Sequence, residues 1–319
     1  NLQSTSKSKA IDVRTGFNGL SIEFLKNTPP QKVFEDSTFP VIIKVKNNGA
    51  YSLRNEEKAI LSLGVERDYT KNVQLLSGKA QLQEQSGTAA SLNLEGKSSI
   101  NLGEEQVISY NIVAGRIDPQ SEVHPSTAIA TLCYPYKTVL DTAACIDTDV
   151  SGIKPGKKVC QVQDLVFNSG QGAPVAVTKI EVNMLPSQIK EGIQPKIVPQ
   201  FLIFVENKGQ GIAIKKEEVS NFCTKSDTTH ANLNIVYVKV CLSNFCTDSG
   251  GMKCQLEAKQ NSNERGHIKL KDKKDVIRCS KEDGLESAQD AYLAPLKIEL
   301  DYGYTQSISA GYFIHKTAR

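Results

Sequence analysis

The chain has 319 residues, which is long for one ordinary β-sandwich and enough for two of about 150 residues, each with its own core. A hydrophobic fraction of 39% excludes wholesale disorder, and a scattered excess of only three basic residues argues against nucleic acid or a membrane surface as partner. No apolar run approaches the roughly 20 residues that span a bilayer, so no transmembrane segment is expected in this chain.

Residues 1–17 form a polar arm without the apolar core of a signal peptide, so a secreted protein would be present here in its mature or trimmed form. The arm is too polar to fold alone. It is interpreted either as a flexible stalk or as a segment that adds a strand to the open sheet edge of a neighbouring subunit.

Short β-branched runs separated by Gly, Pro, Asn and Ser predict many strands and almost no helix. The predicted strands lie within residues 21–25, 39–53, 59–65, 107–113, 177–182, 199–214 and 233–240. The one helical candidate is a turn or two around residues 215–222. Two of the strands, in 39–53 and 199–214, are led by proline and end in Asn-x-Gly, which is the first sign of an internal repeat.

The repeat is clearest in residues 126–146 and 294–314, which both run 21 residues and place Tyr-x-Tyr at the same offset. Each segment is interpreted as a strand–turn–strand unit. Strand alternation puts both rings of a pair on one sheet face, either in the core or as an exposed adhesive stripe, and we favour the core. The four residues are Tyr134, Tyr136, Tyr302 and Tyr304.

These elements predict an all-β chain of two tandem immunoglobulin-like β-sandwich domains linked internally by disulfides. The expected boundaries are an N-terminal arm at 1–17, domain 1 at 18–150, a linker at 151–159 and domain 2 at 160–319.

Eight cysteines without zinc-type spacing predict disulfides and an oxidising, extracellular compartment. They are Cys133, Cys145, Cys160, Cys223, Cys241, Cys246, Cys254 and Cys279. If the first repeated segment turns at Val139, Cys133 and Cys145 lie opposite each other in a hairpin. The expected pairs are then Cys133 with Cys145, Cys160 with Cys223, Cys241 with Cys246, and Cys254 with Cys279, although other connectivities remain open.

Candidate chemical sites all have a structural alternative. Residues 147–152 match the start of a calcium loop, but Lys158 stands where a bidentate glutamate is needed, so a polar linker is favoured. The four histidines are far apart in sequence, which disfavours a metal cluster or a nucleophile–base pair. No catalytic residue, metal or cofactor is therefore predicted, and the chain is interpreted as not an enzyme. The histidines are His124, His230, His267 and His315.

Several segments resemble secreted cell-surface proteins of DPANN archaea. They are residues 19–53, 94–112, 133–136, 169–182 and 295–309, of which SGQGAPVAVTK at 169–179 is the most specific. The resemblance covers most of the chain and implies tandem immunoglobulin-like modules of the cell-adhesion type behind an N-terminal anchor that this sequence does not show. It also implies that six of the cysteines recur in the family, whereas Cys241 and Cys246 are an added pair.

Two functions are compatible with the sequence. In the first, the chain is an extracellular structural subunit of a pilus-like filament or surface layer, whose partners are other copies of itself bound through β-strand contacts. In the second, it is a monomeric adhesin that grips a host or neighbouring cell, or a glycan, through loops at the ends of its sandwiches.

Overall fold

The computed structural model describes residues 13–77, 81–82, 89–150, 152, 157–187, 196–224, 229–249, 251–257, 266–286 and 290–317. These residues contain strands, one short α-helix and three single-turn 3-10 helices, so the all-β prediction is confirmed. The helical candidate around residues 215–222 is also confirmed, by a 3-10 turn followed by α1. The N-terminal arm as far as residue 12 lies outside the described residues.

The strands are numbered in chain order. They are β1 (Leu20–Phe24), β2 (Lys32–Phe34), β3 (Thr38–Asn47), β4 (Ala59–Gly64), β5 (Thr70–Ser77), β6 (Gln81–Leu82), β7 (Ala89–Leu92), β8 (Glu105–Ala114), β9 (Val123–Ile146), β10 (Leu165–Val166), β11 (Val175–Pro186), β12 (Lys196–Asn207), β13 (Ile212–Ile214), β14 (Ile235–Leu242), β15 (Phe245–Cys246), β16 (Lys253–Cys254), β17 (His267–Lys269), β18 (Lys274–Ser280), β19 (Leu285–Glu286) and β20 (Tyr292–His315). The helices are α1 (Val219–Thr224) and the 3-10 turns Arg67–Tyr69, Lys216–Glu218 and His230–Asn232.

The chain divides into two compact units, and neither is a continuous stretch of sequence. Unit 1 holds the described residues within 1–134, 220–227 and 305–319, and unit 2 those within 135–219 and 228–304. The linear ranges 18–150 and 160–319 expected from the sequence stay a prediction, since the units are defined here by packing.

Unit 1 has the strand order of an immunoglobulin constant domain. One sheet has the order β1-β3-β8-β5, and the other carries β4, β9 and the last part of β20, extended by β7 and β6 beyond β4. In the letters used for immunoglobulins these sheets are ABED and CFG. Buried and more exposed side chains alternate along β3, and the ring centre of Phe39 on that strand lies 5.1 Å from the ring centre of Tyr312 on β20. The core of unit 1 therefore lies between its two sheets.

Unit 2 repeats this order, with β9 and β20 in exchanged places. The first sheet runs β11-β12-β18-β16, with β10 added at the edge of β11, and the second runs β14-β20-β9. These again correspond to ABED and CFG. The strand order thus confirms the prediction of an immunoglobulin-like fold for both units.

The strand in the G position of each unit comes from the opposite half of the sequence: unit 1 takes it from the end of the chain, and unit 2 takes it from β9 in the first half. β9 and β20 are unbroken 24-residue strands, and the packing assigns 123–134 and 305–315 to unit 1 but 135–146 and 292–304 to unit 2. The predicted turn inside each repeated segment is therefore wrong. Neither segment contains the Asn-Gly or Asp-Gly pair that favours a tight hairpin turn, so each strand continues instead of folding back.

The repeated segments are nevertheless structural copies. Residues 124–137 and 292–305 are buried, half-buried and exposed at the same positions throughout. The backbone N–H of Leu20, the first residue of β1, donates to the Tyr134 hydroxyl at 3.2 Å, and that of Val175, the first of β11, donates to the Tyr302 hydroxyl at 3.2 Å. An equivalent contact at an equivalent strand start shows that the internal repeat is real.

The two Asn-x-Gly turns also match in detail. Asn47 and Asn207 are buried polar residues at the ends of β3 and β12. Each amide donates to the carbonyl four residues later, at 2.7 and 3.0 Å, and each side-chain oxygen accepts the N–H two residues later, at 3.1 Å in both copies. A buried amide is tolerated because these bonds satisfy both of its ends.

Candidate functional site

The eight cysteines form four disulfides, and two of the expected pairings are correct. Cys241 pairs with Cys246 and Cys254 with Cys279, each pair lying directly opposite in an antiparallel ladder. The other two bridges join Cys133 to Cys223 in unit 1 and Cys145 to Cys160 in unit 2.

The expected pairs Cys133–Cys145 and Cys160–Cys223 are therefore wrong, for one physical reason. Cys133 and Cys145 lie on the same uninterrupted strand β9, where successive residues advance by about 3.3 Å. Twelve such steps hold the two sulfurs far apart, and a disulfide needs Cα atoms within roughly 7 Å. Cys223, on α1, instead reaches Cys133 and lies 3.2 Å from the Ile60 carbonyl oxygen.

The calcium-like segment holds a lysine instead of an open cation site. The Lys158 ammonium lies 2.7 Å from Asp147 Oδ2, 3.5 Å from Asp149 Oδ2 and 3.0 Å from the Asp149 carbonyl oxygen. Its hydrogen bond to Asp147 and the two nearby carboxylates raise the pKa of the Lys158 ammonium. A fixed positive charge stands where a calcium ion would bind, and the packing places this segment within unit 2, so its interpretation as a linker between domains stays a prediction.

The four histidines do not come together. His124 stacks on Tyr69 with ring centres 3.7 Å apart, His230 is in a 3-10 turn, His267 is on β17 and His315 ends β20. Within the part of the chain that the structure describes, no three His, Cys, Asp or Glu side chains converge as metal ligands, and no helix has the length and hydrophobicity to cross a bilayer.

The four repeat tyrosines lie in the cores, as favoured from the sequence. Each is at most 1% exposed, and burial raises the pKa of Tyr304 to about 12 and that of Tyr302 well above its usual value. The Tyr304 hydroxyl accepts from the Gly211 N–H at 2.9 Å and donates to Asn207 Oδ1 at 3.1 Å. These hydroxyls are occupied by the fold, so an exposed tyrosine stripe is wrong.

The surface that stands out lies on the outer side of the second sheet of unit 1. Four strands meet there, since β4 pairs with β9, β9 lies beside β20, and β20 pairs in parallel with β2. The outward positions Ile60, Cys133 and Thr305 of unit 1 lie beside the Cys133–Cys223 bridge to α1. We call the other outward positions of these strands in unit 1 the open face. They are Lys32, Phe34, Ser62, Gly64, Val123, Pro125, Thr127, Ile129, Thr131, Ser307, Ser309, Gly311, Phe313 and His315.

The open face is apolar or hydroxylic and nearly uncharged. Ile129, Phe313 and Phe34 are 46%, 50% and 45% exposed. Thr131 and Ser307 hydrogen-bond to each other across neighbouring strands at 2.9 Å. The only residue of the face with a permanent charge is Lys32, at one corner, whose ammonium lies 5.1 Å from the centre of the Phe34 ring. Antiparallel sheets that face water usually present charged and polar side chains.

The same positions in unit 2 show what a solvent-facing version of this sheet contains. The cross-strand pair Ser62–Thr131 of unit 1 corresponds to Lys239–Glu299, and Gly64–Ile129 corresponds to Cys241–Lys297. The ammonium of Lys297 lies 2.6 Å from a Glu299 carboxylate oxygen. The architecture therefore accepts ion pairs at these positions, and unit 1 does without them.

Two glycines of the open face are not needed by the fold. A Cβ added to Gly311 would meet nothing closer than the Ser126 carbonyl oxygen at 3.9 Å, and one added to Gly64 nothing closer than the Ile129 carbonyl oxygen at 3.7 Å. Neither has a positive φ. At Gly303 in unit 2, by contrast, the added atom would lie 2.6 Å from a Val219 methyl group. Glycine weakens a strand interior, and it is also typical of a close approach by another molecule.

The open face was not predicted from the sequence, because the predictions rested on what the two copies of the repeat share. The signal is in what differs: aligned on Tyr-x-Tyr, the outward residues Ile129 and Thr131 stand opposite Lys297 and Glu299. The contribution of β2 and of residues 305–315 to unit 1 required the tertiary structure.

Comparisons with known proteins give loose matches only. No family model matches the sequence, and no curated protein matches it. The chain is similar to a solved structure of the partial N-terminal region of an enterococcal surface protein, at 8% identity over 92% of this chain and 93% of that chain, with a TM-score of 0.22. A structure titled BspA_C_WT gives 9% identity, coverage of 92% and 99%, and a TM-score of 0.21. The crystal structure of the collagen adhesin of S. aureus gives 8% identity over 95% of this chain and 94% of that chain, with a TM-score of 0.12.

Proposed function

We propose that the chain is a non-catalytic, extracellular cell-surface protein whose function is adhesive contact, made through the open face of unit 1. The observation that carries the proposal is the exposed, nearly uncharged sheet face in one copy of a repeat whose other copy is charged at the same positions. Exposed apolar patches of this kind mark interaction sites, and interface cores are depleted of charge.

The disulfides support a role outside the cell. All eight cysteines are in disulfides, which persist in oxidising compartments and not in the cytosol.

Assembly into a filament or surface layer is the finer form of this proposal. Strand donation by the polar arm stays a prediction, because its first 12 residues lie outside the described part of the chain. Adhesion through sandwich loops likewise stays the alternative. The open face offers a third route, in which sheets contact face to face and no strand is exchanged.

The test is binding of labelled, oxidised full-length protein to the cells that produce it. We expect saturable binding that excess unlabelled protein displaces and that Ile129→Lys abolishes, because a lysine placed in the face must be desolvated on contact. Lys297→Ala, at the equivalent position of unit 2, is the matched control and should bind as the unaltered protein does. Equal binding by Ile129→Lys would refute a role for the face.

A further inference from the structure

We infer that the partner of the open face is the open face of a second copy of this chain, packed about a two-fold axis. The inference rests on the proposed function and names its partner. Three properties of the face support it: the distribution of large and small side chains, the charge and the area.

Bulk is distributed unevenly along the strands of the open face. The hydrogen bonds between Ser126 and Tyr312 and between Thr131 and Ser307 align β9 with β20. At one end lie the large side chains, which are Phe34, Val123, Pro125, Phe313 and His315. At the other end, around Ile129, lie the small ones, which are Ser62, Gly64, Thr131, Ser307 and Ser309, with Thr127 and Gly311 between the two ends.

This gradient makes the face complementary to itself. In an isologous contact each copy presents the same patch, so a two-fold axis near Thr127 and Gly311 places the large end of one copy over the small end of the other. Gly311, near the axis, and Gly64, in the small end, are the places where a Cβ would have room in the monomer but would hold the second sheet away. Sheets that pack face to face lie about 10 Å apart, which leaves room for one interdigitated layer of side chains.

Charge favours a second copy over other partners. The face has no basic cluster for nucleic acid or anionic lipid. Its one ammonium group, that of Lys32, lies at a corner of the face, so a two-fold axis through the centre of the face keeps the Lys32 ammonium groups of the two copies apart. The residues of the face include no amide, carboxylate or guanidinium side chain, and these groups make the bidentate and charge-assisted hydrogen bonds that would favour a neutral glycan. A surface of the same neutral composition meets no unpaired charge here.

The area predicts a weak contact. Strand spacing and the two-residue repeat give about 30 Å² of sheet per outward position, hence a footprint on the order of 400 Å² per copy. The total of about 800 Å² is below the roughly 1,200 Å² of stable specific interfaces, so the association is expected to be transient in dilute solution. Copies held at high density on a surface gain a large effective concentration, so a weak contact suffices there.

The test is sedimentation velocity of the oxidised full-length protein from low to high micromolar concentration. We expect a concentration-dependent monomer–dimer equilibrium. Ile129→Lys should raise the dimer dissociation constant by about 100-fold or abolish association, because it buries an unpaired charge. Gly311→Val should also weaken association while leaving the melting temperature of the monomer unchanged or higher, since valine suits a strand and has space there. Lys297→Ala should associate as the unaltered protein does.

A protein that stays monomeric over this range, or an Ile129→Lys variant that associates normally, overturns the inference. If the protein is monomeric yet binds cells in a way that Ile129→Lys abolishes, the proposed function holds and the face has another occupant. Binding of the unaltered protein, but not of Ile129→Lys, to a neutral polysaccharide would identify that occupant.

Discussion

The two units agree inside and differ outside. Their tyrosines receive the same backbone N–H bonds and their buried asparagines close the same turns, whereas outward positions that carry Lys239, Lys297 and Glu299 in unit 2 carry Ser62, Ile129 and Thr131 in unit 1. The shared inward contacts are what this sandwich needs in order to fold. The outward chemistry differs between the copies although the fold is the same, so the fold does not require the uncharged face of unit 1, and the proposed function assigns that face to contact.

The largest expected effect tests whether the units complete each other. Deleting residues 305–319 removes the strand that carries Tyr312 and Ile314, which are 1% and 0% exposed. Burial of such side chains contributes roughly 1.5–3 kcal/mol each, and the β9 edge would lose its ladder, so the sum approaches the whole stability of a small domain. We expect unit 1 to unfold and unit 2 to persist, measured by hydrogen exchange and limited proteolysis.

The matched control truncates only after Lys316, which leaves β20 intact. A peptide of residues 305–317 added to the deleted protein should restore exchange protection to unit 1. A folded unit 1 without residues 305–319 would instead support the linear boundary at residue 150.

A smaller effect on stability is expected at a position of the repeat where unit 1 has a disulfide and unit 2 has an ion pair. Cys133 in unit 1 and Asp301 in unit 2 occupy the same place in the repeat; the first is bonded to Cys223, and the second accepts from Lys216 at 2.8 Å. Both partners lie within residues 216–223, but a covalent bond that closes a separation of 90 residues also restricts the unfolded chain. The chain-entropy model gives about 4 to 5 kcal/mol for such a loop.

Replacing Cys133 and Cys223 together by alanine should therefore lower the free energy of unfolding by about 4 kcal/mol. Lys216→Met should lower it by roughly 1–3 kcal/mol, because it leaves the Asp301 carboxylate, in a residue that is 7% exposed, without this ammonium. Urea denaturation followed by tyrosine fluorescence measures both. If Lys216→Met lowers the free energy of unfolding more than the double cysteine replacement does, the disulfide does not stabilise its unit more than the ion pair does.

The sequence was sufficient for everything that local pattern determines. The short β-branched runs and the Tyr-x-Tyr repeat indicated the fold class, the internal copies and the core tyrosines. It failed where strand length mattered, because strands average five or six residues and a 21-residue strand-like segment therefore suggested a hairpin. The incorrect pairing of Cys133 and Cys145 followed directly from that turn. Residues 305–315 could not be assigned to unit 1 because no local feature specifies a partner strand that lies far away in sequence.

The smallest expected effect concerns the outward residues themselves, tested on the monomer. Ile129→Lys transfers to unit 1 the residue that unit 2 carries at this position, on a side chain that is already 46% exposed. Surface substitutions of this kind change stability by no more than about 0.5 kcal/mol. We expect the unfolding free energy of dilute, monomeric protein to be unchanged within that range for Ile129→Lys and for the control Lys297→Ala, as measured by urea denaturation.

A loss of several kcal/mol would mean that Ile129 supports the fold of unit 1, and its effect on binding would then no longer report on a partner. If monomer stability is retained while contact is lost, the uncharged side chains serve intermolecular contact, since the equivalent ladder in unit 2 folds with charges in their place.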